Sequence, residues 1–132
     1  MKTIKIQTKK DKEVIDITNL IERELIGVKE GLAALFLLHT SAALTTADLD
    51  PGTDLDMIDA FKQLVPKLQF RHQHDPEHTP DHILSTLIGA SLTVPVKDSK
   101  IYLGSWQRVV LIEFNGPKER EVVVQVHNNT TA

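Results

Sequence analysis

Gly31-Leu32-Ala33-Ala34-Leu35-Phe36-Leu37-Leu38, followed at once by His39-Thr40-Ser41, is the stretch that orders the rest of the sequence. Eight residues without a polar side chain fall well short of the ~20 needed to span a bilayer as a helix. They suit a central strand buried on both faces. The run stops abruptly at His39, which puts an imidazole at a strand end, where buried scaffold gives way to an exposed pocket.

On the N-terminal side, Lys2 to Thr8 alternates Ile4 and Ile6 with polar neighbours, the pattern of a half-buried strand, and Glu13 to Ile17 continues it as a hairpin. Thr18 is placed to cap a short helix in which Leu20, Ile21, Leu25 and Ile26 recur at helical spacing, ended by Gly27 and laid over a sheet. On the C-terminal side a further strand is expected, then a turn at Asp50-Pro51-Gly52. Thr53 and Asp54 open a helix with Leu55, Ile58, Phe61, Leu64 and Val65 on one face, stopped by Pro66.

Lys67 to Glu77 has no periodicity, whereas Thr79-Pro80-Asp81 reads as a cap, a first-turn proline and an acid at a helix's positive end. That predicts a helix from Pro80 to Ile88 with Gly89 ending it. The remaining chain alternates through Leu92, Val94 and Val96, turns at Asp98-Ser99, and resumes at Ile101 and Leu103. Val109 to Phe114 and Val122 to Val126 follow, separated by Asn115-Gly116-Pro117, as an antiparallel meander. The element order predicts one α+β domain over residues 1–132, with a mainly antiparallel sheet or sandwich core and two or three surface helices.

Composition narrows the function. The 132 residues carry 15 Lys+Arg against 18 Asp+Glu, a formal charge of -3, with no basic block to draw nucleic acid by counterion release. Neither a signal-peptide core nor a membrane-spanning stretch is visible, so a cytoplasmic location without membrane association is expected. Cysteine is absent, which excludes disulfides and thiolate chemistry and leaves nitrogen and oxygen as the only metal donors.

Of six histidines, five lie between His39 and His82. His74, His78 and His82 are spaced by four, as on one helical face, but Pro76 and Pro80 forbid one regular helix through them. His78 becomes a loop residue. His72, His74 and His82 remain as local ligand candidates, and for His39 a structural role and a site role weigh equally. Three imidazoles around an open position are a common zinc arrangement, although no short motif such as H-E-x-x-H is present.

The acids Asp48, Asp50, Asp54 and Asp56 surround a turn and a helix start, where carboxylates ordinarily cap. Asp48, nearest the strand end, is the least explained in that way. In Gly104-Ser105-Trp106-Gln107 the tryptophan reads as packing, while Ser105 and Gln107 offer hydrogen bonds to a ligand. Ser41 lacks a nucleophile-elbow pattern and ranks low as a hydrolase nucleophile.

The blocks His39-Thr40-Ser41-Ala42-Ala43-Leu44-Thr45, Asp50-Pro51, His72, His82-Ile83, Gly89-Ala90-Ser91-Leu92 and Gly104-Ser105-Trp106-Gln107 resemble the YjbQ proteins over nearly the whole chain. The resemblance implies a compact α+β fold assembling as a homotrimer, a site near a subunit boundary, and secondary thiamine-phosphate synthase activity. It selects His39, His72 and His82 as the family's histidines and places the family's acid at Asp48. Ser105 stands where threonine is usual, Asp48 where glutamate is, in a segment one residue shorter, and Arg108 where glycine is common.

The resulting expectation is a small metal-dependent enzyme. His39, His72 and His82 hold a divalent metal, zinc by ligand type, Asp48 and Ser41 serve the chemistry, and Thr40, Ser105, Gln107 and Arg108 contact a small phosphorylated ligand. Condensing a pyrimidine diphosphate with a thiazole phosphate requires stabilising the departing pyrophosphate, for which Arg71 and Arg108 are candidates. Diphosphate departure ordinarily uses Mg²⁺ on carboxylates, so a zinc-dependent hydrolase or lyase fits the histidines equally well. A non-catalytic metal- or small-molecule-binding trimer is the competing class.

Overall fold

The computed structural model describes residues 1–129. In chain order the elements are β1 (Lys2–Gln7), β2 (Glu13–Asp16), α1 (Thr18–Glu22), β3 (Glu30–Leu37), β4 (Ala42–Ala47), α2 (Thr53–Leu64), α3 (Thr79–Ile88), β5 (Ser91–Lys97), β6 (Lys100–Ile101), β7 (Arg108–Glu113) and β8 (Glu119–Asn128). A single 3-10 turn, Pro76–His78, leads into α3. This is the α+β order expected from the sequence.

The strands form two antiparallel sheets, a five-stranded one in the order β1-β8-β3-β5-β6 and a three-stranded one in the order β2-β7-β4. Between them lies a core of Ile6, Ala33, Leu35, Leu37, Val122 and Val124 from the larger sheet against Ala42, Leu44, Val109 and Leu111 from the smaller, closed by Ile17, Ile21 and Leu25 around α1. A second core on the far face of the small sheet joins Ala43, Val110, Ile112 and Phe114 to Ile58 of α2 and Leu84 of α3. The layering is therefore sheet, sheet, helices. β7 is the middle strand of the small sheet, and its residues from Val109 onward are buried whichever way they point.

Five local expectations need correction. β1 and β2 do not form a hairpin, since β1 pairs with β8 in the larger sheet and β2 with β7 in the smaller. β3 is central in its sheet, but only Ala33, Leu35 and Leu37 are buried, while Leu32 and Phe36 are about half exposed because no layer of the described residues covers the sheet's outer face. The last strands are not a meander: β6 hairpins onto β5, β7 crosses to the other sheet, and β8 returns between β1 and β3. The helix after Thr18 is one short turn, and the Thr18 hydroxyl is tied to Val109 of β7 instead of capping it. On α2 the face is narrower than predicted, with Ile58, Phe61 and Val65 packed and Leu55 and Leu64 exposed.

Candidate functional site: a histidine groove at one end of the strands

The β4–β7 register pairs Ala42 with Glu113 and Ala47 with Arg108. His39, Thr40 and Ser41, leaving β3 for β4, therefore share one end of the small sheet with the Glu113–Arg120 turn. Helix α3 crosses that end, fastened by the Ser85 hydroxyl donating to the Ala42 carbonyl at 2.6 Å. It terminates at Gly89, whose φ of 110° and ψ of 161° suit glycine alone and turn the chain so that the Gly89 carbonyl accepts from Leu44 N–H. These connections bring His82 of α3 over Thr40.

The groove comprises two adjoining hollows that share His39, Thr40, His72 and His82. The His82 Nδ1–H donates to the Thr40 carbonyl at 2.7 Å, which leaves a lone pair on Nε2. His39 is arranged in the opposite sense: its Nε2 accepts from Glu121 N–H at 2.8 Å, so the neutral ring carries its proton on Nδ1. His72 likewise accepts at Nδ1, from Asp75 N–H at 3.0 Å, leaving its proton on Nε2. The His72 and His82 rings stack with centroids 5.1 Å apart and planes 15° from parallel.

Burial pushes the His39 imidazole below its usual range, and the Arg120 charge adds to this, outweighing the carboxylates of Glu121 and Glu113. His39 is thus held neutral. Beneath it Arg120, buried, donates through Nε to Glu113 Oε2 at 2.8 Å and through Nη2 to Glu113 Oε1, the Ser41 carbonyl and the Ser41 hydroxyl. Burial alone raises the Glu113 carboxyl, but hydrogen bonds from Arg120 and Asn115 N–H, with the Arg120 charge, bring it below its ordinary value. Lys118 lines the groove, and its backbone is clamped in both directions by the Thr8 hydroxyl. Among the described residues no ion pair engages its ammonium.

The segment carrying His72 is held by a chain of contacts. Lys12 Nζ meets Asp81 Oδ1 at 3.3 Å, Asp81 Oδ2 meets His78 Nδ1 at 2.8 Å, and His78 Nε2 meets Asp75 Oδ2 at 3.2 Å. His78 is therefore not simply a solvated loop residue; it fixes the turn whose Asp75 N–H orients His72. Thr79, expected as a cap, makes no capping bond, and its hydroxyl lies buried without a hydrogen-bond partner on the groove wall.

The sequence-predicted residues divide. His39, Thr40, Ser41, His72 and His82 come together, whereas His74 and Arg71 do not line the groove. Asp48, Ser105, Gln107 and Arg108 sit at the opposite end of β4 and β7, about 20 Å away for six residues at ~3.4 Å each. There Asp48 accepts from Asp50 N–H, Gln107 Oε1 from Gly104 N–H, and Arg108 Nε donates to Asp16 at 2.7 Å. The cations beside the histidines are Lys118 and Arg120 instead of the expected Arg71 and Arg108. Glu113, which interrupts the apolar run Val109 to Phe114, was the available signal for a buried ion pair, whereas Arg120 lies in the charged run Lys118 to Glu121 and gave none.

The three imidazoles do not, as arranged, fit a metal held by all three. A neutral imidazole ligates through its lone pair, and those of His39 and His72 are taken by backbone N–H groups. Only His82 has the form of a ligating histidine, Nδ1–H bound to a carbonyl and Nε2 free. What the groove offers is two ring N–H donors, an ammonium and one acceptor nitrogen, a set suited to an anionic ligand.

The family model of the YjbQ-like UPF0047 proteins matches residues 2–129. A UPF0047 protein of Archaeoglobus fulgidus is 35% identical over 121 residues, covering 91% of this chain and 95% of its own. The UPF0047 protein YugU of Bacillus subtilis is 33% identical over 129 residues, covering 96% and 98%. Among solved structures, a conserved hypothetical protein of Thermus thermophilus superposes with a TM-score of 0.87 at 30% identity, over 96% of this chain and all of its own.

Proposed function

The chain belongs to the YjbQ-like UPF0047 family, and from that premise we propose that its histidine groove binds a small phosphorylated molecule and stabilises charge developing on phosphate oxygens. The observation that carries this reading is the opposed polarity of the three rings. His39 and His72 keep N–H groups for a ligand, Lys118 adds a positive charge, and His82 Nε2 accepts a proton-bearing group of the same ligand.

This arrangement suits the thiamine-phosphate synthase chemistry that the family resemblance implies. A thiazole nitrogen attacks the pyrimidine methylene carbon; the C–N bond forms, the C–O bond to the diphosphate breaks, and pyrophosphate leaves with the electron pair. The departing charge falls on N–H donors already held by the protein, the condition under which electrostatic stabilisation is most effective. The buried Thr79 hydroxyl supplies one more uncommitted polar group on the wall.

Titration calorimetry with inorganic pyrophosphate tests the binding half of the proposal. Wild type should bind it, and Lys118→Ala should weaken it by at least tenfold, roughly the 1.5–3 kcal/mol of a hydrogen bond to a charged group. Wild type that takes up no pyrophosphate would sink the reading. Thiamine phosphate formation from the two precursors, lost in His82→Ala, tests the catalytic half.

One observation favours a metal in a more limited role: the Thr40 carbonyl on His82 Nδ1 is the outer-shell partner that ligating histidines commonly have. His82 would then be its first ligand, and His39 and His72 would join only by giving up Glu121 N–H and Asp75 N–H. Elemental analysis of wild type against His39→Ala, His72→Ala and His82→Ala separates the cases. A three-imidazole centre predicts loss of metal in every variant, and the single-ligand role predicts loss in His82→Ala alone.

A further inference from the structure

Resting on the groove as the functional site, we propose that Lys12, outside the groove between β1 and β2, is a positioning residue. Through Asp81, His78 and Asp75 it fixes which ring nitrogen His72 offers a ligand. The stretch that carries His72 has little support of its own. Among the described residues, the backbone of 67–74 makes no hydrogen bond to other backbone, and all of these side chains except Phe70 and His72 are exposed. Segments with so few packed or hydrogen-bonded groups lie at the low-stability end of a fold. The His72 ring is oriented by the Asp75 N–H on its Nδ1, so it is only as well placed as that one peptide.

Asp75 is held in three ways. Its carbonyl accepts from His78 N–H at 3.1 Å, its Oδ1 accepts from Glu77 N–H at 3.2 Å, and its Oδ2 faces His78 Nε2 at 3.2 Å. His78 is held in turn through Nδ1 by Asp81 Oδ2 at 2.8 Å. An acid in the first turn of a helix ordinarily serves that helix's own free N–H groups. Asp81, only 5% exposed, instead gives its two oxygens to Lys12 and His78. A carboxylate buried without partners is costly, so Asp81 binds the two together.

Lys12 ends the chain on firm ground. Its Nζ donates to the Phe114 carbonyl at 2.6 Å while lying 3.3 Å from Asp81 Oδ1. The loop around it is braced by Glu13, whose Oε2 accepts from Lys9 N–H and Lys10 N–H, both at 2.6 Å. Gly116 N–H adds a bond to the Asp11 carbonyl at 2.8 Å. The contacts thus run from a braced loop to an unbraced one and finish on a ring in the groove, which Lys12 itself does not line.

Nitrogen-15 NMR of the histidine rings reads the effect directly and needs no ligand. In wild type, His72 should show one neutral tautomer, with Nδ1 bare and the proton on Nε2. In Lys12→Met its two nitrogen shifts should move towards each other, as in a ring exchanging between tautomers, while those of His82, bonded to Thr40, stay in place. Lys12→Arg keeps the cation and should restore the wild-type pattern. His78→Leu cuts the chain at its middle without stranding a buried charge, since Lys12 and Asp81 remain paired, and should reproduce the change seen in Lys12→Met.

Pyrophosphate affinity should fall about three- to tenfold in Lys12→Met and in His78→Leu, the range of one lost hydrogen bond, and recover in Lys12→Arg. Either variant, folded by circular dichroism, that keeps the wild-type His72 shifts or the wild-type affinity overturns the inference. If wild type itself takes up no pyrophosphate, the phosphate reading falls, and the nitrogen shifts still decide whether Lys12 positions His72.

Discussion

Arg120 shows how a single side chain can hold a site together. Its guanidinium fills the space under His39 and satisfies Glu113 and both oxygens of Ser41, so the strand ends carrying the histidine and the serine are tied through one group. Arg120→Met leaves the Glu113 carboxylate buried without its cation and should destabilise the fold by ~3–5 kcal/mol, read from urea unfolding. Adding Glu113→Leu should recover most of that loss, since a buried pair replaced by apolar groups is often neutral. A single variant as stable as wild type would show that the pair is solvated. Ser41, which is 5% exposed with its hydroxyl bonded to Arg120, belongs to this network.

At the level of elements, α3 depends on how it ends. Gly89 lies in a backbone region closed to other residues, and from there its carbonyl receives Leu44 N–H while Ala90 receives Leu37 N–H. One turn thus fixes the helix to both β4 and β3, and His82 with it. Gly89→Ala should cost ~1–3 kcal/mol in urea unfolding through backbone strain. It should also weaken pyrophosphate binding, because the helix that positions His82 shifts. Loss of stability with unchanged binding would mean that α3 is positioned by its packing on β4 alone.

Across the entire domain, acid is the informative perturbation. The Glu113 carboxyl is held below its ordinary value of 4.5, so the unfolded chain binds its proton first as pH falls. The stability it contributes is present above pH 4.5 and is lost as pH drops through the depressed native value. Urea midpoints should therefore fall steeply below that pH in wild type and less so in Glu113→Leu/Arg120→Met. Parallel pH profiles would rule out Glu113 as the main acid-sensitive group. Asp16, also lowered, lies in a partly exposed pair with Arg108 and contributes less because solvent screens it. No helix among the described residues is long and apolar enough to cross a membrane.

Element order, the strand after which His39 falls, the Gly89 helix stop and the exclusion of a helix through His74, His78 and His82 were all legible in the chain. Each is a local matter of periodicity or backbone permission, written in neighbouring residues. The resemblance carried by the sequence blocks also singled out His39, His72 and His82, which the fold does gather. Which sheet each late strand joins was not legible, because β6, β7 and β8 have similar alternation and only long-range pairing distinguishes a meander from two sheets. The same pairing placed Asp48 and the Gly104–Arg108 turn at the far end of β4 and β7 and brought Lys118 and Arg120 beneath the histidines. The ring nitrogen each histidine keeps free was likewise settled only by the folded chain, since Thr40, Asp75 and Glu121 set it through backbone groups that carry no side-chain signature.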